Sequence, residues 1–290
     1  MHETIKTILE KGPVVTDGAW GTELMKKGMK AKECPEIWNL TDPEKVVEVA
    51  KSYVDAGSRV ILTNTFGANQ FVLSRYNMKD TVREINIAGV DISKEAAGDK
   101  ALVFASMGPS GKMLIMKDVT KTELQEAFNE QADAIKDAGA DAIIVETMTD
   151  MEEALIAIAA AKKTGLPLVA SMVFDAGKEK DRTIMGHTIE EMAEKFTSAG
   201  VDVLGTNCGK GIEGFIPVCK KMRASTDLPL WVKANAGSPE YVKGETVYNT
   251  TPEEYAAFIP LLVEAGADFI GGCCGTNPNF IRAIKEKLEC

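Results

Sequence analysis

The sequence predicts an α/β protein of the (β/α)8 TIM-barrel class, a single domain over residues 1–290 with its core at about 12 to 285. Three observations lead there. One phrase recurs four times, in which a helix ends in Ala-Gly and an apolar strand follows at once. The copies are DAGSRVILTNTFG (55–67), DAGADAIIVETMTD (137–150), SAGVDVLGTNCG (198–209) and EAGADFIGGCCG (264–275). The intervals hold four more strand candidates, Val14–Asp17, Leu102–Met107, Leu168–Val173 and Leu230–Asn235. Helical patterns separate the eight runs, and eight alternating β/α units describe a closed barrel. The competing doubly wound open sheet is disfavoured by the count and by the lack of a Gly-x-Gly-x-x-Gly turn.

Each element has a local cause. MHETIKTILEKG at the start reads as a short amphipathic helix. The glycine of each Ala-Gly pair serves as a C-cap in the left-handed region, where the missing Cβ removes the steric penalty. The β-branched, apolar runs after it read as strands of a buried parallel sheet. TDPEKVVEVAKSYVDAG (41–57) opens a helix with a capping Thr or Asp and Pro43 in its first turn. TDMEEALIAIAAAKKTG (149–165) offers Asp150 as N-cap with Glu153 as a capping-box partner. TTPEEYAAFIPLLVEAG (250–266) repeats the device with Thr251 and Pro252 as one helix.

Composition narrows the function. The net charge is −10, which argues against nucleic acid or anionic membranes as partners. No apolar run approaches the ~18 residues of a membrane span, and the N-terminus has no apolar signal core, so a cytoplasmic protein is expected. The six cysteines of such a protein do not form a disulfide framework. Only two histidines exist, His2 and His187, so a metal site must rely on sulfur or carboxylate.

In a barrel of this class chemistry gathers at the C-terminal ends of the strands. Those ends carry Asp17, Asn64, Glu146, Asn207 with Cys208, Asn235, and Cys273 with Cys274. Three cysteines from strands six and eight therefore converge on one mouth. Three thiolates with one exchangeable position make a zinc site of the catalytic kind, and soft sulfur favours zinc over harder cations. A strained Cys273–Cys274 redox disulfide and a cysteine nucleophile served by His187 are the alternatives. Lys233, on the same face as Asn235, is the only lysine placed for a Schiff base. Cys34, Cys219 and Cys290 read as small buried hydrophobes, Asn64 as a loop tie, and Met107, Met113 and Met116 as packing residues.

The stretches DGAWGTEL (17–24), TNTFGAN (63–69), GTNCG (205–209), NAG (235–237) and GGCCGTNP (271–278) resemble the homocysteine S-methyltransferase family over nearly the whole chain, most of all the N-terminal homocysteine module of cobalamin-dependent methionine synthase. The resemblance implies zinc-dependent methylation of L-homocysteine to L-methionine on a (β/α)8 barrel. It implies one zinc per chain on Cys208, Cys273 and Cys274, with Asn235 as a weak oxygen ligand or close neighbour. Asp17 and Glu146 would bind the homocysteine, and the Gly18 to Thr22 turn, with Gly21, would offer backbone N–H groups to its carboxylate. Asn207 and Asn235 are counted with the substrate-binding residues.

The chemistry agrees with the residue types. A thiol is mostly protonated at neutral pH, and only the thiolate attacks carbon well. Metal binding removes that proton, so no general base is required. The chain has no Asp-x-His-x-x-Gly cobalamin signature, so the methyl donor is expected from outside. Methylcobalamin on a separate corrinoid protein is favoured over a small donor such as betaine, S-methylmethionine or S-adenosylmethionine. A non-catalytic zinc- or thiol-binding barrel is the alternative from another class.

Overall fold

The computed structural model describes residues 1–30, 32–242 and 245–289; Cys290 lies outside them. Apolar, β-branched runs form eight parallel strands: β1 (Val14–Val15), β2 (Val60–Leu62), β3 (Leu102–Met107), β4 (Ala142–Met148), β5 (Leu168–Met172), β6 (Val203–Gly211), β7 (Leu230–Asn235) and β8 (Phe269–Gly272). Their order is β1-β8-β7-β6-β5-β4-β3-β2. A bridge between Thr16 and Val60 joins the outer pair, and the Arg59 N–H donates to the Val15 carbonyl at 2.8 Å. The result is a nearly closed (β/α)8 barrel, with the expected strands shortened by a residue or two at β1 and β5.

Side chains alternate across the strands with period two. Val15, Ile61, Val103, Ile143, Leu204 and Ile270 pack outward in the layer shared with the helices. Val14, Val60, Phe104, Ile144, Val203, Trp231 and Phe269 fill the interior. There Phe104 stacks on Trp231 with centroids 5.9 Å apart, and Trp231 meets Phe269 at 5.5 Å. The N-terminal helix, Glu3–Leu9, adds Ile5 and Ile8 to the same cluster and so plugs the barrel floor. Closing that end leaves the opposite, C-terminal end of the strands as the mouth.

The four Ala-Gly glycines hold positive φ, at 103° for Gly57, 78° for Gly139 and Gly200, and 99° for Gly266. Thr251 and Glu254 form a complete capping box. Asp150 caps its helix by accepting from the Glu152 and Glu153 N–H groups. Glu153, however, does not return to the cap: it accepts from the N–H and hydroxyl of Ser110 at 2.8 and 2.5 Å. The loop after β3 needs a buried acceptor more than the exposed cap does. Asp42 makes no cap bond; it pairs with Lys45 at 2.8 Å, leaving Pro43 to start the helix.

Two elements depart from expectation. The single helix expected over 250–266 is two, Pro252–Ala256 and Ile259–Glu264, broken where Pro260 withholds an N–H and crowds the preceding turn. Between β7 and these helices, Glu240–Val242 and Glu245–Val247 pair as an antiparallel hairpin that the sequence did not announce. Met107 is buried as expected, but Met113 and Met116 are exposed, the latter at 69%. They lie on the loop after β3, beyond the helix layer that would have covered them.

Candidate metal and substrate site

β6 and β7 run in register from Leu204 with Leu230 to Asn207 with Lys233, then skip to Gly211 with Asn235. The extra residues loop out, and Cys208 and Gly209 take φ of 65° and 83°. A left-handed conformation strains a residue with a Cβ by roughly 1 to 2 kcal/mol, and Cys208 bears it where the chain must swing toward β8. Beyond β8, the Cys273 N–H donates to the Ala234 carbonyl at 2.7 Å, and the Ala236 N–H donates to the Cys274 carbonyl at 2.9 Å. The β7 terminus thereby clamps the cysteine pair on both sides of Asn235. Thr276 fastens the turn by donating to the Cys273 carbonyl at 2.8 Å.

These constraints bring the sulfurs of Cys208, Cys273 and Cys274 within 4.8 Å of one another, with Cys208 and Cys274 at 4.0 Å. Such crowding cannot hold three negative charges without a cation. The S–H groups of Cys208 and Cys273 both favour a thiolate on Cys274, which they hold down to about 3. Cys208 is eased downward by Cys273 but pushed harder upward by donating to Cys274 and by burial, to about 11. Cys273, donating to Cys208 and then Cys274 and buried besides, stands well above its ordinary value. Beside them, Asn235 is buried and its Oδ1 has no hydrogen-bond partner among the described residues. A buried, unpaired carbonyl oxygen is costly unless something positive faces it. The donor set fits a soft divalent cation.

Beneath the sulfurs, the inward residues change from aromatic to polar. Lys233, two residues above Trp231, is 3% exposed and bonds Asp17 Oδ1 at 2.5 Å. Asp17 is fully buried, and its Oδ2 accepts from the Leu62 N–H at 2.8 Å and the Trp20 indole at 2.7 Å. Burial alone would pull the Lys233 ammonium down, but Asp17 and then Glu146 outweigh it and hold it above its ordinary range. Glu146 accepts from the Ser106 hydroxyl at 2.5 Å. Burial pushes its carboxyl up, against the opposing pull of Lys233 and Ser106.

Asn207 is the hinge of this layer. Its Oδ1 accepts from the Ser171 hydroxyl at 2.6 Å and the Thr147 N–H at 3.0 Å, and its amide donates to Thr147 Oγ1 at 2.7 Å. These bonds hold Thr147 at φ 62°, in the bulge that aims Glu146 inward. Gly18 packs where a Cβ would meet Tyr53 and Thr276 at 2.8 to 2.9 Å. The Ala19 N–H donates to Thr276 Oγ1 and its carbonyl accepts from Tyr53, so this part of the turn is internally satisfied. Gly21 and Thr22 stand in the first turn of the helix Trp20–Lys26, with Thr22 Oγ1 buried and unpartnered among the described residues.

The other sequence candidates fall away from the sulfurs. His187 lies 3.9 Å from Glu191, and His2 belongs to the floor helix, where its ring accepts from the Thr4 N–H. Asn64 ties its loop to Pro35 and Asn39. Cys34 and Cys219 are buried. Tyr248 was not foreseen. Its ring lies against Gly275, where a Cβ would clash with it, one residue from Cys274, and burial followed by the charge on Cys274 raises its phenol above the ordinary range. Only the unexpected hairpin returns the chain to this spot; no motif in the sequence marks it.

The family model described as homocysteine S-methyltransferase matches residues 14–288. The methionine synthase of Mycobacterium tuberculosis (strain ATCC 25618 / H37Rv) is 28% identical over 296 residues, covering 96% of this chain and 25% of that protein. The methionine synthase of Mycobacterium leprae (strain TN) is likewise 28% identical over 290 residues, covering 93% of this chain and 24% of its own length. The chain thus spans about a quarter of the length of these curated relatives. Among solved structures, the oxidized form of the homocysteine methyltransferase MmuM from Escherichia coli superposes with a TM-score of 0.81 at 23% identity, covering 99% of this chain and 100% of that one. At that identity the likeness concerns the fold.

Proposed function

The chain belongs to the homocysteine S-methyltransferase family, and from that premise we propose that it transfers a methyl group to the thiol of L-homocysteine, giving L-methionine. The observation that carries the reading is the convergence of Cys208, Cys273 and Cys274 at the barrel mouth beside the unpartnered Asn235 oxygen. We assign one zinc ion per chain to the three sulfurs, with Asn235 as an oxygen ligand or close neighbour. When bound, the ion supplies the positive charge that lets a substrate thiol shed its proton at neutral pH.

The chain's own residues bind and orient. Glu146, with Asp17 and Lys233 behind it, presents negative charge to the substrate ammonium. The N–H groups of Gly21 and Thr22, and the Thr22 hydroxyl, face the carboxylate. Asn207 keeps Glu146 and Thr147 in place. The substrate sulfur attacks the methyl carbon in line, a C–S bond forms, and the bond from carbon to donor breaks. The protein's contribution is alignment, which can supply several kcal/mol of a methyl-transfer barrier (about 7 or more in favourable cases). Neither histidine stands where a general base would be needed, which agrees with a thiol deprotonated before attack.

For the donor we favour methylcobalamin carried by a separate corrinoid protein, with betaine, S-methylmethionine or S-adenosylmethionine as the small-molecule alternative. Among the described residues no helix is long and apolar enough to cross a membrane, and we place the reaction in the cytoplasm. The test offers zinc-loaded protein and homocysteine with each of the four donors in parallel, scored for methionine. Methionine from methylcobalamin alone is expected; no methionine from any donor overturns the reading.

A further inference from the structure

Two acids face the substrate end of the barrel, but they are not equivalent. The Asp17 carboxylate accepts from Lys233 on one oxygen and from Leu62 and Trp20 on the other, and it has no exposed surface. Glu146 is 7% exposed. Its Oε1 accepts from Ser106 at 2.5 Å, while its Oε2 receives only a long contact from the Asn207 amide at 3.4 Å. That oxygen retains acceptor capacity for a strong, charge-assisted bond. The two carboxylates and Lys233 together carry one net negative charge when both acids are ionised, so the layer is balanced by a single further cation.

We propose that Lys233 is a specificity-determining residue: its ammonium takes Asp17 out of substrate binding and leaves Glu146 as the one carboxylate open to the ammonium of the substrate. The inference rests on the homocysteine reading and deepens it. Lys233 is fixed by its strand: in β7 it follows Trp231 on the inward face, so its stem rises past the indole, 5.8 Å from Nζ to the ring centroid, into the plane of both acids. A chain-borne ammonium there acts as a permanent occupant of half the anionic site. Amine recognition is thereby confined to one carboxylate, and a thiol carrying one ammonium is the substrate class the layer accommodates.

The test compares L-homocysteine with 4-mercaptobutyrate, which keeps the thiol and carboxylate but lacks the amine. Dissociation constants are measured by calorimetry on zinc-loaded full-length protein. Wild type is expected to prefer homocysteine, and Glu146→Gln to lower that preference by about tenfold or more while 4-mercaptobutyrate binding stays within about threefold. Lys233→Met frees Asp17, so the preference for homocysteine is expected to rise, and adding Glu146→Gln to it no longer abolishes the preference. A merely structural role for Lys233 moves both thiols alike; an unchanged preference in Lys233→Met overturns the proposal. Should that variant be too unstable to titrate, Glu146→Gln decides alone, since a retained preference refutes the assignment. If neither thiol binds the wild-type protein, the homocysteine reading itself falls; if both bind and only the preference fails to respond, this inference alone is wrong.

Discussion

Cys208 shows how much one residue is asked to do. It accepts a strained backbone so that its sulfur meets two others from the far side of β7, at the end of β8. Cys208→Ala is expected to lower zinc affinity by more than about 100-fold, above the range for losing an outer hydrogen-bond partner of a ligand; a chromophoric chelator in competition reads this, and helical circular dichroism should be unchanged. Glu146 makes a prediction in pH. A carboxyl raised by burial binds its proton more tightly folded than unfolded, so its contribution favours the fold below its ordinary value of 4.5 and is lost as pH climbs through the raised one. Glu146→Gln is therefore expected to melt above wild type at pH 7, with the advantage gone below pH 4.5. Equal melting temperatures at pH 7 would show that Lys233 fully offsets the burial.

At the scale of elements, local chemistry was mostly legible. The Ala-Gly repeats located four strands because a left-handed C-cap needs no tertiary partner. Asp150 capped as expected, and Asp150→Ala should cost about 1 kcal/mol in urea unfolding. Glu153 could not be read from the same pattern: its partner, Ser110, is a residue of the neighbouring β/α unit, and burial chose that contact over the capping box. The broken helix at Pro260 was visible in principle, since proline inside a helix removes a backbone bond, but the surrounding apolar periodicity masked it. The hairpin after β7 had no such signal. It pairs two short strands outside the barrel sheet, and it matters because it leads the chain to Tyr248, whose ring packs on Gly275 beside the cysteine pair.

At the scale of the molecule, the barrel has a plugged floor and a chemically active mouth. Ile5→Ala, in the plug, is expected to cost about 2 to 5 kcal/mol of stability in denaturant unfolding while leaving zinc content unchanged, because floor and mouth are separated by the aromatic layer of Phe104, Trp231 and Phe269. The sequence by itself determined the eight β/α units and the strand-end placement of Asp17, Glu146, Asn207, Asn235 and the three cysteines. Periodicity and capping are local, and parallel barrels put strand ends together by topology. Only the tertiary structure decided how those residues divide the work. Whether a carboxylate is free or already paired depends on which side chain from a distant strand reaches it, and Lys233 and Asp17 lie 216 residues apart in the chain. Both acids stand at strand ends in the sequence; in the folded barrel Asp17 is paired with Lys233, and only Glu146 keeps an oxygen open toward the mouth.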